Sequence, residues 1–426
     1  MSVYTIQGGR PLHGTLRISG EKNSVLPMIA CTLLTSEPCT LCDVPEISDV
    51  QYFLETLEAI GARVAWDKNA KTVTVQCADI TPEKIERCSQ LSKTRANIIM
   101  AGALVARFGE VRMPMPGGDT IGVRPLHTHL EGLETFGVEV LQASDCLHLR
   151  YARTGLQSPR MMLDEASVTG TETLAVFLAG VAATGEITFA AADPQVQTTL
   201  HMLQSMGATV EGIGTHHLRI TGSHTLRGGR FTVTPDVTAT GTYAIAAAIT
   251  GGDVTLTNVP HRDLYSFYGV LQRLGVRFTC HEAPTTEENT LRVHGPHDLR
   301  AVRVVKPNIY PGLIPDIQSP MAVLLTQCAG TTQLFDWMYE GRLGYLWELK
   351  RMGAQVRILN PHQADITGPV QLRGTMVHSW DLRAGASMVL AGLIAEGTTT
   401  VTDIHWIDRG YEHFAANLRS LGADIT

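Results

Sequence analysis

Residues 57–64 read LEAIGARV, and this stretch contains both a stop and a start. Leu57 and Ile60 stand three apart, as on the inner face of an amphipathic helix. Gly61 suits the left-handed residue that ends such a helix, and the alternation after it opens a strand. The phrase returns as LETFGVEV (133–140), LQSMGATV (203–210), LQRLGVRF (271–278), LKRMGAQV (349–356) and LRSLGADI (418–425). Its glycines, Gly61, Gly137, Gly207, Gly275, Gly353 and Gly422, are 68 to 78 residues apart, so six copies of one supersecondary unit fill the chain.

A second series accompanies the first: VLPMIACTLL (25–34), IIMAGALVARF (98–108), LAVFLAGVAAT (174–184), YAIAAAIT (243–250), MAVLLTQCAG (321–330) and MVLAGLIAEG (388–397). A helix this apolar on every side has to be buried. Each unit therefore reads as buried helix, strand, amphipathic helix, strand and a further strand such as HHLRITG (216–222) or NTLRVHG (289–295). The last copy ends after GADIT without that further strand, and the strand-like segment 2–20 is the candidate to complete it. The expected class is α/β (α+β), with three units in each of two domains. One domain spans 22–231 and the other 1–21 plus 232–426. The chain then crosses between them twice, and a cleft there is the expected place for a site.

The bulk composition agrees with a folded, two-domain protein: 426 residues, 44% hydrophobic and 18% charged. No apolar run reaches the ~20 residues of a membrane span, and the opening residues lack the plan of a secretory signal. A cytoplasmic protein without membrane insertion is expected. The eight cysteines are scattered, with Cys39 and Cys42 the one close pair, and read as buried free thiols. A formal charge of −7 argues against nucleic acid as a partner. Any anionic substrate then needs cations gathered locally.

Such cations occur where the repeat is interrupted. Lys22 and Asn23 precede one buried helix and Arg95 another, where free backbone N–H groups favour anions. PGGDTIGVRP (116–125) carries Asp119 and Arg124. The second half offers Asp316, Arg342, Asp381, Arg383 and Arg409. An Asp–Arg pair at a helix start is more often a cap or an ion pair, and Asp381–Arg383 fits that reading alone. Recurrence at equivalent helix starts favours a site for a phosphate- or carboxylate-bearing substrate. His127 and His129 lack a third metal ligand, so structural roles and no metal are expected. Neither GxxxxGK[ST] nor GxGxxG after a strand occurs, so no nucleotide cofactor is expected.

SGEKN (19–23), LVARFG (104–109), PGGDTIGVRP, DLRAGASMVLAG (381–392) and IDRGYE (407–412) together resemble the enolpyruvyl transferases across the whole chain. They are closest to the branch that opens peptidoglycan synthesis. The shikimate branch is expected to show GNAGTAxRPL where this chain has PGGDTIGVRPL. The resemblance implies two inside-out α/β barrel domains, no cofactor, and phosphoenolpyruvate (PEP) plus a uridine nucleotide or nucleotide sugar as partners. It implies transfer of the enolpyruvyl group to the 3-hydroxyl of UDP-N-acetylglucosamine with release of phosphate.

Carried over by matching position, Lys22, Arg124 and Arg409 resemble the PEP clamp, which Arg342 and Arg383 join. Lys22 would also stabilise developing charge, and Asp316 would be the base on the acceptor hydroxyl. Asn23, Arg95, Arg124, Pro125, Leu126 and His127 would hold the acceptor. Thr128, Ser167, Val168, Asp316 and Met338 would complete its binding, with Asp381 in support.

Most relatives in that branch carry PGGC, whose cysteine is taken as the acid at C3 of PEP. Here Asp119 stands instead, able to move the same proton if burial among PEP's charges raises its pKa. It is a different nucleophile from a thiolate, so insensitivity to fosfomycin, which alkylates the cysteine, is expected. Ser48 and Glu165 stand where many members have lysine. His127 replaces an aspartate, and Val237 and Ala239 replace an arginine and a glutamate. A charged hydrogen bond to a diphosphate is worth roughly 1.5–3 kcal/mol. These departures therefore leave open a second acceptor, such as UMP in a nucleoside pathway. A non-catalytic paralogue would have lost residues among Lys22, Arg124, Asp316 and Arg409, and all four are present.

Overall fold

The computed structural model describes residues 2–92, 94–117, 126–142, 145–151, 159–295 and 297–426. They form two compact units, one of residues 2–19 and 235–426, the other of the described residues within 20–234. Each unit has its own hydrophobic core. The crossings fall at Ser19/Gly20 and Thr234/Pro235, two residues before the expected 21/22 and three after the expected 231/232. The strand Gly229–Thr232 runs on, because Val233 N–H donates to Cys42 O at 3.0 Å and Glu21 N–H to Thr234 O at 2.8 Å. On the other side, Asp236 N–H donates to Ser19 O at 2.9 Å.

The six-fold phrase folds as one motif. Every one of its glycines has positive φ, from 82° at Gly275 to 118° at Gly207. In five copies the two N–H groups after the helix close back onto it, as where Gly61 donates to Glu58 O and Ala62 to Leu57 O. A side chain other than glycine strains at that φ, so the position selects its residue. The leading leucine of each copy (Leu57, Leu133, Leu203, Leu271, Leu349, Leu418) is fully buried. Each such leucine is worth roughly 1.5–3 kcal/mol against exposure.

The apolar helices occupy the centre of each unit. In the first they are Lys22–Cys31, Asn97–Phe108 and Val168–Gly180, in the second Val237–Thr250, Gln318–Leu325 and Leu382–Ile394. Within each unit the three touch one another pairwise. Gln318–Leu325 is buried at every residue and Leu382–Ile394 from Leu382 to Leu393. Close approach requires small residues: a Cβ on Gly102 would lie 2.4 Å from the Thr173 carbonyl oxygen of the neighbouring helix.

Six separate sheets surround these helices, and none closes on itself among the described residues. Five share one order: an edge strand parallel to the strand after the buried helix, then two further strands, each antiparallel to its neighbour. Each edge strand comes from the preceding repeat. Arg160–Met162 joins Thr184–Thr188, and Gly229–Thr232 returns to Cys39–Cys42, whereas the sheet of Glu110–Pro114, Cys146–Tyr151 and Val138–Gln142 has no such edge strand among the described residues. In the other unit Val304–Val305 joins Gly330–Phe335, Met376–His378 joins Thr398–Thr402, and His13–Arg17 joins Asp253–Thr257. The N-terminal strand Val3–Gln7 pairs with both Thr398–Thr402 and Asp424–Ile425, supplying the strand that the last repeat lacks. No helix among the described residues is long and apolar enough to cross a membrane.

Candidate active site

In the second unit three buried helices begin at aspartates, and their heads converge. Asp236 caps Val237–Thr250, accepting from Ala239 N–H at 2.7 Å. Asp381 caps Leu382–Ile394, accepting from Arg383 N–H at 2.7 Å and Ala384 N–H at 2.9 Å. Asp316 lies in the short turn Pro315–Ile317 that leads into Gln318–Leu325. It makes no cap. Its Oδ2 accepts from Arg383 Nε at 3.1 Å and lies 3.1 Å from Arg383 Nη2, while its Oδ1 accepts from Arg342 Nη2.

Both guanidiniums are buried, their side chains 8% and 5% exposed, against 25% for Asp316. Arg342 lies over the Tyr339 ring at 4.9 Å and Arg383 over the Tyr411 ring at 5.0 Å. Asp336, fully buried, accepts from the N–H groups of Met338 and Tyr339 at 3.0 and 3.1 Å, which shapes the turn leading to Arg342. Burial pushes the Asp316 carboxyl up, but the charges of Arg383 and Arg342 outweigh it and hold the group well below the usual carboxylate range. Burial pushes the two arginines down, and Asp316 more than offsets this. The triad is therefore ionised, and Asp316 is a poor base while both partners hold it. Arg409 ends the turn Ile404–Arg409, half-buried, 5.4 Å from the Trp406 ring.

In the first unit Lys22 opens the helix Lys22–Cys31 and is buried, its Nζ 2.6 Å from Asp49 Oδ2. Asn23, beside it, is half-buried, and Ser24 Oγ donates to Glu21 Oε2 at 2.7 Å. Two other helix starts meet. Leu126, His127 and Thr128 head the helix His127–Thr135, and Ser167 caps Val168–Gly180 by accepting from Gly170 N–H at 3.2 Å. Thr128 packs against Gly170, where an added Cβ would lie 3.2 Å from its methyl. His129, buried, contacts Thr173 Oγ1 at 3.1 Å and Thr169 Oγ1 at 3.4 Å. Burial, then the charges of Arg95 and His127, push its imidazole down to about 3, so it is neutral and structural. Asp119, Arg124 and Pro125 lie outside the described residues.

Several groups escaped the sequence reading. Asp49, the partner of Lys22, sits in PEISDV with nothing to mark it. Asp236 and Tyr411 both face Arg383. Tyr411 stands two residues after Arg409 in IDRGYE and was findable there. Val237 and Ala239 are buried in the first turn of their helix, Ser48 is half-buried beside Asp49, and Glu165 is exposed. No group of three or more His, Cys, Asp or Glu suited to a metal ion occurs among the described residues.

Comparisons with known proteins show the family of the chain. The family model described as EPSP synthase (3-phosphoshikimate 1-carboxyvinyltransferase) matches residues 6–418. UDP-N-acetylglucosamine 1-carboxyvinyltransferase 2 of Bacillus cereus is 38% identical over 427 residues, covering 100% of this chain and 96% of that protein. UDP-N-acetylglucosamine 1-carboxyvinyltransferase 1 of Caldanaerobacter subterraneus is 37% identical over 426 residues, covering 99% and 98%. Among solved structures, the enolpyruvyl transferase NikO from Streptomyces tendae superposes with a TM-score of 0.83 at 24% identity, covering 100% of this chain and 98% of that one. That likeness speaks for the fold. By family match and by full-length identity, this chain belongs to the EPSP synthase (3-phosphoshikimate 1-carboxyvinyltransferase) family of enolpyruvyl transferases.

Proposed function

We propose that this protein transfers the enolpyruvyl group of PEP to the 3-hydroxyl of UDP-N-acetylglucosamine and releases phosphate, the committing step of peptidoglycan synthesis in the cytoplasm. The observation that carries the reading is 38% identity along the whole chain to UDP-N-acetylglucosamine 1-carboxyvinyltransferases.

The chemistry assigns roles to particular residues. C3 of PEP takes a proton from Asp119, and the acceptor hydroxyl gives its proton to Asp316 as its oxygen bonds to C2. Loss of a C3 proton and departure of phosphate then restore the vinyl group. Lys22, Arg124, Arg342, Arg383 and Arg409 hold PEP's carboxylate and phosphate, and Lys22 and Arg409 meet the charge that develops on the leaving group. Fixed cations do this without reorganising at the moment of reaction. Asn23, Arg95, Leu126, His127, Thr128, Ser167, Val168 and Met338 serve the acceptor. Asp381 acts on Arg383 through its helix cap, so it positions that residue.

Ser48, Glu165, His127, Val237 and Ala239 favour a second reading, in which UMP or another uridine compound is the acceptor. One assay separates the two: phosphate release from PEP with UDP-N-acetylglucosamine, UMP or shikimate 3-phosphate, with and without fosfomycin. Turnover with the nucleotide sugar, unaffected by fosfomycin, is expected. Turnover with UMP alone selects the second reading, and turnover blocked by fosfomycin removes Asp119 as the C3 acid.

A further inference from the structure

Asp316 shares both of its oxygens between two buried arginines, yet the same residue is the base of the proposed reaction. Those are opposed requirements. A carboxylate that accepts from Arg342 Nη2 on one oxygen and Arg383 Nε on the other, with Arg383 Nη2 3.1 Å away, has both oxygens engaged by cations and its charge neutralised. The arginines, by contrast, are not satisfied. Nη1 of Arg342 and Nη1 of Arg383 are buried without a hydrogen-bond partner among the described residues. A buried donor left unmade is costly, and two of them on adjacent guanidiniums suit an oxyanion.

We propose that Asp316 is the internal counter-ion of this anion subsite, so that a bound phosphate or carboxylate competes with it for Arg342 and Arg383, and only the anion-loaded protein has an Asp316 free to take the acceptor's proton. The inference rests on the reading above, that these arginines hold PEP. It adds that the base is switched on by the anionic substrate.

The groups around Asp316 make the switch one-directional. Arg342 and Arg383 face it from the turn Arg342–Tyr345 and the helix Leu382–Ile394, and Asp236 faces it and Arg383 from the head of Val237–Thr250. Behind the arginines stand Asp336 and Tyr339 on one side and Tyr411 on the other. No third cation among the described residues is shown facing Asp316. An incoming anion therefore either draws the guanidiniums away or binds their spare Nη1 groups and repels Asp316. Both make Asp316 more basic. The arrangement also guards against wasted chemistry, since the acceptor hydroxyl is not deprotonated before PEP is in place.

Linkage is reciprocal, which supplies the test: if the anion raises the basicity of Asp316, neutralising Asp316 must tighten the anion. Calorimetric titration of the full chain with inorganic phosphate and with PEP, wild type against Asp316→Asn, reads this directly. Tighter binding in Asp316→Asn, by about tenfold, is expected; equal or weaker binding overturns the proposal. Should the variant not fold, wild-type protein labelled with carboxyl-13C aspartate serves. Addition of phosphate should raise the titration midpoint of an aspartate that otherwise titrates below the usual range, and an unmoved midpoint overturns the proposal. The underlying reading fails separately. Retained turnover in Asp316→Asn removes Asp316 as the base, and undiminished phosphate affinity in Arg342→Gln and Arg383→Gln removes the anion subsite.

Discussion

Asp316 and His129 show the same burial working in opposite directions on charge. Asp316 keeps its charge because two guanidiniums outweigh desolvation, whereas His129 has only hydroxyl partners and faces Arg95 and His127. Replacing Asp316 with Asn should cost about 10²–10⁴-fold in turnover, the usual worth of a positioned base; steady-state phosphate release measures it. The His129 prediction concerns stability. Its folded pKa of about 3 lies below the unfolded value near 6.5, so between those pH values only the unfolded chain binds the proton. Stability falls as pH drops through that window, by at most ~1.4 kcal/mol per pH unit. Asp316 adds to this loss only below pH ~5, where the unfolded carboxyl begins to take up a proton that its depressed folded carboxyl does not. Urea unfolding of wild type and His129→Gln at pH 7 and pH 5 should show the variant losing less on acidification. Equal losses would mean that His129 is protonated inside the fold.

At the scale of the element, the glycine after each amphipathic helix serves one conformation but meets different surroundings. At Gly207, φ is 118° and the nearest atom to an added Cβ is Thr225 O at 3.9 Å. At Gly275, φ is 82° and Asp298 O would lie 1.9 Å away. Gly207→Ala should therefore cost only the left-handed penalty, ~1–2 kcal/mol. Gly275→Ala should cost more, because a backbone carbonyl must move as well. Thermal unfolding of the two variants ranks them, and equal losses would mean that the 298 segment yields freely. The helix cap at Asp381 contributes separately. Asp381→Ala removes two hydrogen bonds to helix N–H groups and should cost ~1 kcal/mol of stability. Its turnover should fall further than its stability, because Arg383 is held by the same turn.

Over the whole molecule, the unit of 2–19 and 235–426 is a cycle of three repeats in which every edge strand is supplied by the repeat before it, while the other unit has two such links among the described residues. Such a cycle has no independent member. Val3–Gln7 lies between Thr398–Thr402 and Asp424–Ile425 with Ile6 fully buried, although nearly 400 residues separate the partners. Deleting residues 2–9 should therefore unfold the unit of 235–426 and spare the other, whose core contains none of these residues. Hydrogen exchange followed by mass spectrometry reads the outcome: lost protection across 235–426 and retained protection across 20–234. Uniform loss would show that the two cores fold as one.

The architecture was legible in the sequence because its signals are local. A glycine after a 3.6-residue pattern and a helix apolar on all sides state their own burial, and six repetitions left little choice of fold. The missing strand of the last repeat could be named for the same reason, since an unfilled position in a repeat is visible from the others. Candidate charged residues were legible as interruptions of that pattern. Their pairing was not. That Lys22 is bound to Asp49, that Asp316 is shared by Arg342 and Arg383, and that Asp236 and Tyr411 complete the surroundings of Arg383 depend on residues 26 to 147 positions apart. Periodicity along the chain is a property of neighbours, and so the sequence by itself determined the repeat and its elements. Ionisation depends on distance and burial, and those exist only once the helices have packed, so only the tertiary structure decided which carboxylate each cation meets.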